Sequence, residues 1–217
     1  MIKMNKYALF FLFCFAAFFI VQCDTIKIHE NQVKIAIQPF GNFDEHLTKI
    51  VAKAIEKTYG FEVRILPSID LPKDAFINVK SPRYRADKLI RFLKETKADS
   101  FDYVLGLTNR DISTTIKDKL GKTKEPSWKY EDWGIFGLGY RPGPSCIVST
   151  FRLQQNNRAI FINRLEKVSV HELGHNLGLP HCDTKHCVMQ DANEKISTVD
   201  GVSGVLCDEC KNQIKIK

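Results

Sequence analysis

The stretch His171-Glu172-Leu173-Gly174-His175-Asn176-Leu177-Gly178-Leu179-Pro180-His181 constrains this chain more than any other. Side chains four residues apart lie on one face of an α-helix, so His171 and His175 can turn toward a common point. Glu172 follows the first histidine directly, which sets it beside that point as a base and not as a third ligand. Gly178 can adopt the left-handed backbone that ends a helix, and Pro180 cannot continue one. The chain must bend there, which lets His181 return to the same point. Three imidazoles around one centre leave a fourth position open for water, the arrangement of a catalytic zinc. The competing reading is an amphipathic helix with histidines on its surface. It accounts for neither the glycine turn nor the third histidine.

The next residues add a second constellation. Cys182 follows His181, Cys187 comes after four intervening residues, and Met189 after one more. A spacer of 17 residues then leads to Cys207-Asp208-Glu209-Cys210. Two cysteine pairs, one of them a CxxC, suit a closed tetrahedral zinc site, while an exported chain would also permit two disulfides. His186, between the close pair, reads as a solvated loop residue or as a substitute for one thiolate. His181 and Cys182 are adjacent yet would serve different metals, which extended backbone allows because consecutive side chains point to opposite sides. Cys146 lies outside this pattern and reads as a small core residue.

The whole string, HExxHxxGxxH followed by CxxxxCxM, the spacer and CxxC, resembles the archaemetzincin family at every position. The likeness continues upstream in Gly106-Leu107-Thr108 with Asp111, in Phe136-Gly137, and in residues 148–153, and spans about Val33 to Cys210. It implies a zinc peptidase acting on peptide or protein substrates. Its first zinc would be catalytic (His171, His175, His181) and its second structural (Cys182, Cys187, Cys207, Cys210), with Glu172 as the catalytic base. It also implies that Met189 lies in a tight turn beneath the catalytic zinc, as an apolar floor. Other metzincins often carry a tyrosine two residues after this methionine; Asp191 stands there, so no tyrosine ligand is expected. Two other readings remain beside it: a non-catalytic lipoprotein that keeps the zinc fold to bind peptides or partners, and a zinc amidase acting on cell-wall peptides. Glu172 favours catalysis, since a binding module has no use for a base beside a ligand.

At the start of the chain, Lys3 and Lys6 precede an apolar run of 14 residues, 8–21. That is short for a membrane-spanning helix, which needs about 20, but right for the core of an export signal over residues 1–22. Cys23 then stands where a bacterial lipoprotein box places its lipidated cysteine, although Gln22 departs from the small residue usual before it. Export to a bacterial cell envelope, by membrane attachment through Cys23 or by secretion, is the expectation. Residues 23–217 are enough for one domain with its own core, expected to be monomeric. The net charge of +7 falls to +5 without Lys3 and Lys6 and is spread widely. With no aromatic interleaving or nucleic-acid motif, DNA and RNA are excluded as expected partners.

The remaining pattern predicts a mixed α/β (α+β) fold of the metzincin kind: two subdomains, a twisted mixed sheet with helices, and a small zinc-bound C-terminal subdomain. Alternation at Val33, Ile35 and Ile37 predicts a strand with one inward face. Helical spacing over 44–59, closed by Gly60, predicts a helix, and alternation over 61–65 a second strand. Ser81 and Pro82 read as the start of a helix through Leu93. Residues 101–107 read as a buried strand and 121–131 as a loop. Two strands are predicted at 135–140 and 146–153, a zinc helix from near Arg164, and a short helix at the last cysteines. Residues 147–153 are the candidate exposed edge on which an extended peptide would dock, the other reading being an ordinary strand of the sheet.

Overall fold

A computed structural model describes residues 32–192 and 195–214; the export segment 1–22 and Cys23 lie outside them. In chain order the elements are β1 (Lys34–Pro39), α1 (Glu45–Tyr59), β2 (Glu62–Ile65), β3 (Phe76–Asn78), β4 (Pro82–Arg85), α2 (Ala86–Thr96), β5 (Tyr103–Thr108) and β6 (Ile112–Thr114). There follow α3 (Ser127–Tyr130), β7 (Trp133–Ile135), β8 (Gly137–Gly139), β9 (Ser145–Ser149), α4 (Arg158–Asn176), α5 (Ile196–Gly201) and α6 (Asp208–Gln213). The larger sheet has the order β2-β1-β5-β9-β8, parallel throughout except for β8, which runs antiparallel to β9 at one edge. A smaller sheet has the order β3-β4-β6-β7.

Helices cover both faces of the larger sheet. Ile35 and Ile37 face one core with Val51 and Ile55 of α1 and Leu165 and Leu173 of α4. Ala36, Val104 and Ile147 face the other, with Leu89, Ile90 and Leu93 of α2. β1 is therefore buried at every position after Lys34, and not on one face only as its alternation predicts. A parallel strand in the middle of a two-faced sheet has no solvent side. Helix α1 starts and stops as predicted. Asp44 caps its N-terminus by accepting from the His46 and Leu47 N–H groups, and Gly60 ends it in the left-handed region at φ 70°.

Strand pairing and helix capping overturn several expectations. Ser81 and Pro82 do not open a helix, because residues 82–85 pair with β3 and β6, and α2 begins only at Ala86. The predicted strand over 135–140 divides at Phe136: β7 joins the small sheet and β8 the large one. The zinc helix begins at Arg158, six residues earlier than predicted, where Asn157 caps it through the Ala159 and Ile160 N–H groups. The loop 121–131 contains the short helix α3. Residues 147–153 are not an exposed edge. β9 is flanked by β5 and β8, is buried at all five residues, and gives way to a 3-10 turn at Phe151–Leu153.

The two sheets are tied by buried charge. Asp111, in the turn between β5 and β6, accepts two hydrogen bonds from Arg152 at 2.7 and 2.9 Å and lies 3.3 Å from Arg83 of β4. Arg83 also donates to the Asp132 carbonyl, just before β7. Removing Asp111 strips Arg152 of its carboxylate and leaves Arg83 only the Asp132 carboxylate, 3.5 Å away. Asp111→Ala is expected to cost about 3 kcal/mol, the low end of the range because Arg152 retains access to water. Thermal or denaturant unfolding checks this; a change within error would mean that the cluster does not hold the sheets together.

Candidate active site

Helix α4 brings His171 and His175 onto one face, and the chain after it returns His181 to them. The return is made by Gly178, left-handed at φ 97°, with the Leu179 N–H bonded back to the Gly174 carbonyl at 3.0 Å. One nitrogen of each of the three imidazoles lies within 4.8 Å of the others, and the ring centroids are 4.6, 5.0 and 5.4 Å apart. Two rings are oriented from behind. His171 Nδ1 is 2.8 Å from the Val188 carbonyl and His175 Nδ1 is 2.8 Å from the Leu179 carbonyl. A carbonyl only accepts, so each Nδ1 carries the hydrogen and each Nε2 keeps its lone pair for a metal. His181 Nδ1 faces Asp191 Oδ2 at 3.5 Å, so the residue in the place of the absent tyrosine stands behind the third imidazole.

Burial holds His171 and His175 in the neutral state that a metal needs. Burial first, and then the neighbouring His175, push the His171 pKa down to about 3; burial also lowers that of His175. Neutral imidazoles can ligate and protonated ones cannot. Burial pushes the Glu172 carboxyl up to about 8. A nearby cation works in the opposite sense, stabilising the carboxylate.

Glu172 is enclosed by the edge strand. A Cβ on Gly137 would come within 2.6 Å of Glu172 Cγ and 2.7 Å of its Oε1, and one on Gly139 within 2.8 Å of the Glu172 carbonyl oxygen. Asn176, one residue after His175, locks the same contact by donating to the Tyr140 carbonyl at 3.0 Å and the Ser145 carbonyl at 2.8 Å. Beneath the histidines lies Met189, fully buried, in a loop where the Cys182 N–H donates to the Met189 carbonyl at 2.9 Å. A Cβ at Gly174 would meet Met189 Sδ at 2.5 Å. Sequence reasoning passed over Gly139 and Asn176. Their signal is the small residue and the amide themselves, legible only once β8 is known to lie on α4.

The four cysteines form a second cluster. Cys182 and Cys207 sulfurs are 3.7 Å apart, those of Cys187 and Cys210 3.8 Å, and all four lie within 4.8 Å of one another. A disulfide needs about 2.05 Å between sulfurs. Four thiolates about 2.3 Å from one zinc stand about 3.8 Å apart along each tetrahedral edge. The Cys182–Cys207 and Cys187–Cys210 separations fit that edge length, and these cysteines are free thiols. His186 turns away from them, with φ 65° and Nδ1 3.0 Å from the Gly201 carbonyl. Cys146 is a buried core residue of β9, as expected.

A helix bearing HExxH, a glycine turn to a third histidine, a buried methionine beneath them and an antiparallel edge strand above define a zinc metallopeptidase of the metzincin class. Residues 31–216 match the sequence profile of Peptidase family M54. The chain is 30% identical over 191 residues to the archaemetzincin of Halobacterium salinarum, covering 84% of this chain and 99% of that protein. Its fold is similar to the crystal structure of archaemetzincin from Methanopyrus kandleri (TM-score 0.69, 26% identity, 86% of this chain and 96% of that one). It is also similar to that of Archaeoglobus fulgidus archaemetzincin complexed with malonate (TM-score 0.65, 28% identity, 83% and 99%). The chain belongs to peptidase family M54, the archaemetzincins.

The floor of the site offers a test of its packing. Gly174→Ala gains about 1 kcal/mol of helix propensity but forces Met189 and the Tyr59 hydroxyl to move in a closed core, at about 1–3 kcal/mol. A net loss of about 1 kcal/mol is expected in thermal unfolding followed by circular dichroism. A stabilised variant would show that Met189 has room to give way.

Proposed function

We propose that His171, His175 and His181 hold a catalytic zinc and that Glu172 is the general base of peptide-bond hydrolysis. The observation that carries this is the convergence of three lone-pair nitrogens beside one buried carboxyl group. When bound there, zinc supplies a water of pKa about 7 and positive charge for the developing oxyanion. Glu172 takes the proton of the attacking water and passes it to the leaving amine. The Val188 and Leu179 carbonyls keep His171 and His175 in the ligating tautomer, and the Met189 loop excludes water from below. Cys182, Cys187, Cys207 and Cys210 hold a second zinc, structural and closed, which their 3.7 and 3.8 Å sulfur separations suit.

An extended peptide pairs with the outer edge of β8. Ladder bonds run from the Ser149 N–H to the Phe136 carbonyl and from the Tyr140 N–H to the Ser145 carbonyl. By the alternation of an antiparallel pair, the N–H and C=O groups of Gly137 and Gly139 then face away from β9. Main-chain pairing of this kind holds a substrate largely without regard to its sequence. We also read residues 1–22 as an export signal and Cys23 as a lipid attachment point, which would set the peptidase on a bacterial envelope. Lys3, Lys6 and the apolar run 8–21 support that reading.

Cleavage of a mixed peptide library by the zinc-loaded chain, beside Glu172→Ala, tests the reaction. The variant is expected to lose about 10²–10⁴-fold in turnover while retaining its zinc, and His175→Ala to lose one zinc of two by plasma emission spectroscopy. Equal cutting by parent and Glu172→Ala would remove Glu172 from the chemistry.

The cysteine site also supports the histidines. Cys182 follows His181, and Cys187 directly precedes Val188, whose carbonyl orients His171. Cys187→Ala is therefore expected to weaken retention of the histidine-bound zinc as well as its own. Full activity with a single zinc per chain would sink this coupling.

A further inference from the structure

Beside the histidines a cavity of about 160 Å³ runs between α4 and α5. His171, His181 and Glu172 line it, together with largely apolar residues, Val168, Val199 and Val202 among them. Lys167 also lines it, one helical turn before His171 on the same face of α4 and only 6% exposed.

The charge count around Lys167 does not close. Its ammonium donates to the Val199 carbonyl at 3.1 Å and the Asp200 carbonyl at 3.2 Å, in the last turn of α5. The Asp200 carboxylate is taken by Arg164, whose two nitrogens reach its two oxygens at 2.7 Å each. One carboxylate, Asp200, faces two cations, Arg164 and Lys167, so the three groups together carry one net positive charge. An ammonium has three hydrogens, and only two are engaged among the described residues. A buried ammonium that shares its one carboxylate with a guanidinium is under-compensated, and a guest that brings a second carboxylate relieves that cost. The other acids lining the cavity, Glu172 and Asp191, belong to the histidine end: one follows His171 directly, and the other lies 3.5 Å from His181.

We propose that this cavity receives one substrate side chain and that Lys167 makes it select an apolar stem with a carboxylate tip, glutamate before a methionine of similar length. The proposal takes its location from the peptidase reading above, but it concerns binding and can fail or stand separately from cleavage. Lys167 is here a specificity residue that takes no part in the reaction.

The test uses the zinc-loaded full chain carrying Glu172→Ala, so that bound peptides stay whole. Fluorescently labelled polyalanine peptides with one central Glu, Gln or Met are titrated, and affinity is read by anisotropy. A single large side chain lets each peptide slide until that side chain finds the cavity. The Glu peptide is expected to bind about tenfold tighter than the Met peptide, the least that a hydrogen bond to a charged group is worth. Lys167→Met in the same background should abolish or reverse that preference, and Lys167→Arg should keep it. Equal or tighter binding of Met by the Lys167 chain overturns the proposal without reference to any variant. So does an unchanged preference in a folded Lys167→Met chain, or binding of none of the peptides. A clear Glu preference in a parent that cuts no peptide would instead leave the cavity assignment standing and remove the peptidase reading.

Discussion

Helix α4 lies against strand β8 at a distance that only glycine allows. With a Cβ at Gly137 or Gly139, an atom would stand 2.6 Å from the Glu172 side chain or 2.8 Å from the Glu172 carbonyl oxygen. The same helix presses on Met189 from its other side, across Gly174. These close approaches set where the histidines point, how dry the Glu172 carboxyl is, and which backbone edge passes over it. Wider packing would admit water, weaken the desolvation that keeps His171 neutral, and loosen the orientation of its ring.

Buried charges hold this packing in register. Asp111 links Arg83 and Arg152 on one side of the site, and Asp200 pairs with Arg164 on the other. Such clusters contribute little net stability, because removing each charge from water costs about what the pairing returns. Their directionality is what matters here. One fixes the small sheet, and so the departure of β8 from β7; the other fixes α5, and so the width of the cavity beside the histidines.

The parts of the site that were legible in the sequence are those made by short-range geometry. His171 and His175 are one helical turn apart, Gly178 sits at the turn, and the cysteine pairs have ligand spacing; each follows from backbone rules that hold in any fold. The start and stop of α1 at Asp44 and Gly60 are of the same kind. The Ser81-Pro82 helix start and the 147–153 edge were decided instead by strand partners on both sides, β3 and β6 for residues 82–85, and β5 and β8 for β9. Pro82 has a helix-start preference, yet pairing of residues 82–85 with two other strands overrides it. Residues 147–149 carry an edge-like sequence, but β8 pairs with them and becomes the edge itself.

The sequence alone determined the donor set: three imidazoles, a carboxyl group and four thiols, at spacings that a helix turn, a glycine bend and a CxxC turn convert directly into geometry. Tertiary structure decided which carbonyls orient the imidazoles, which strand forms the free edge over Glu172, and that Lys167 ends beside the site sharing Asp200 with Arg164. Those outcomes depend on contacts between residues far apart in the chain, such as Asn176 with Tyr140 or Arg164 with Asp200. No local spacing encodes them, because they exist only when sheet, helix and C-terminal segment pack together.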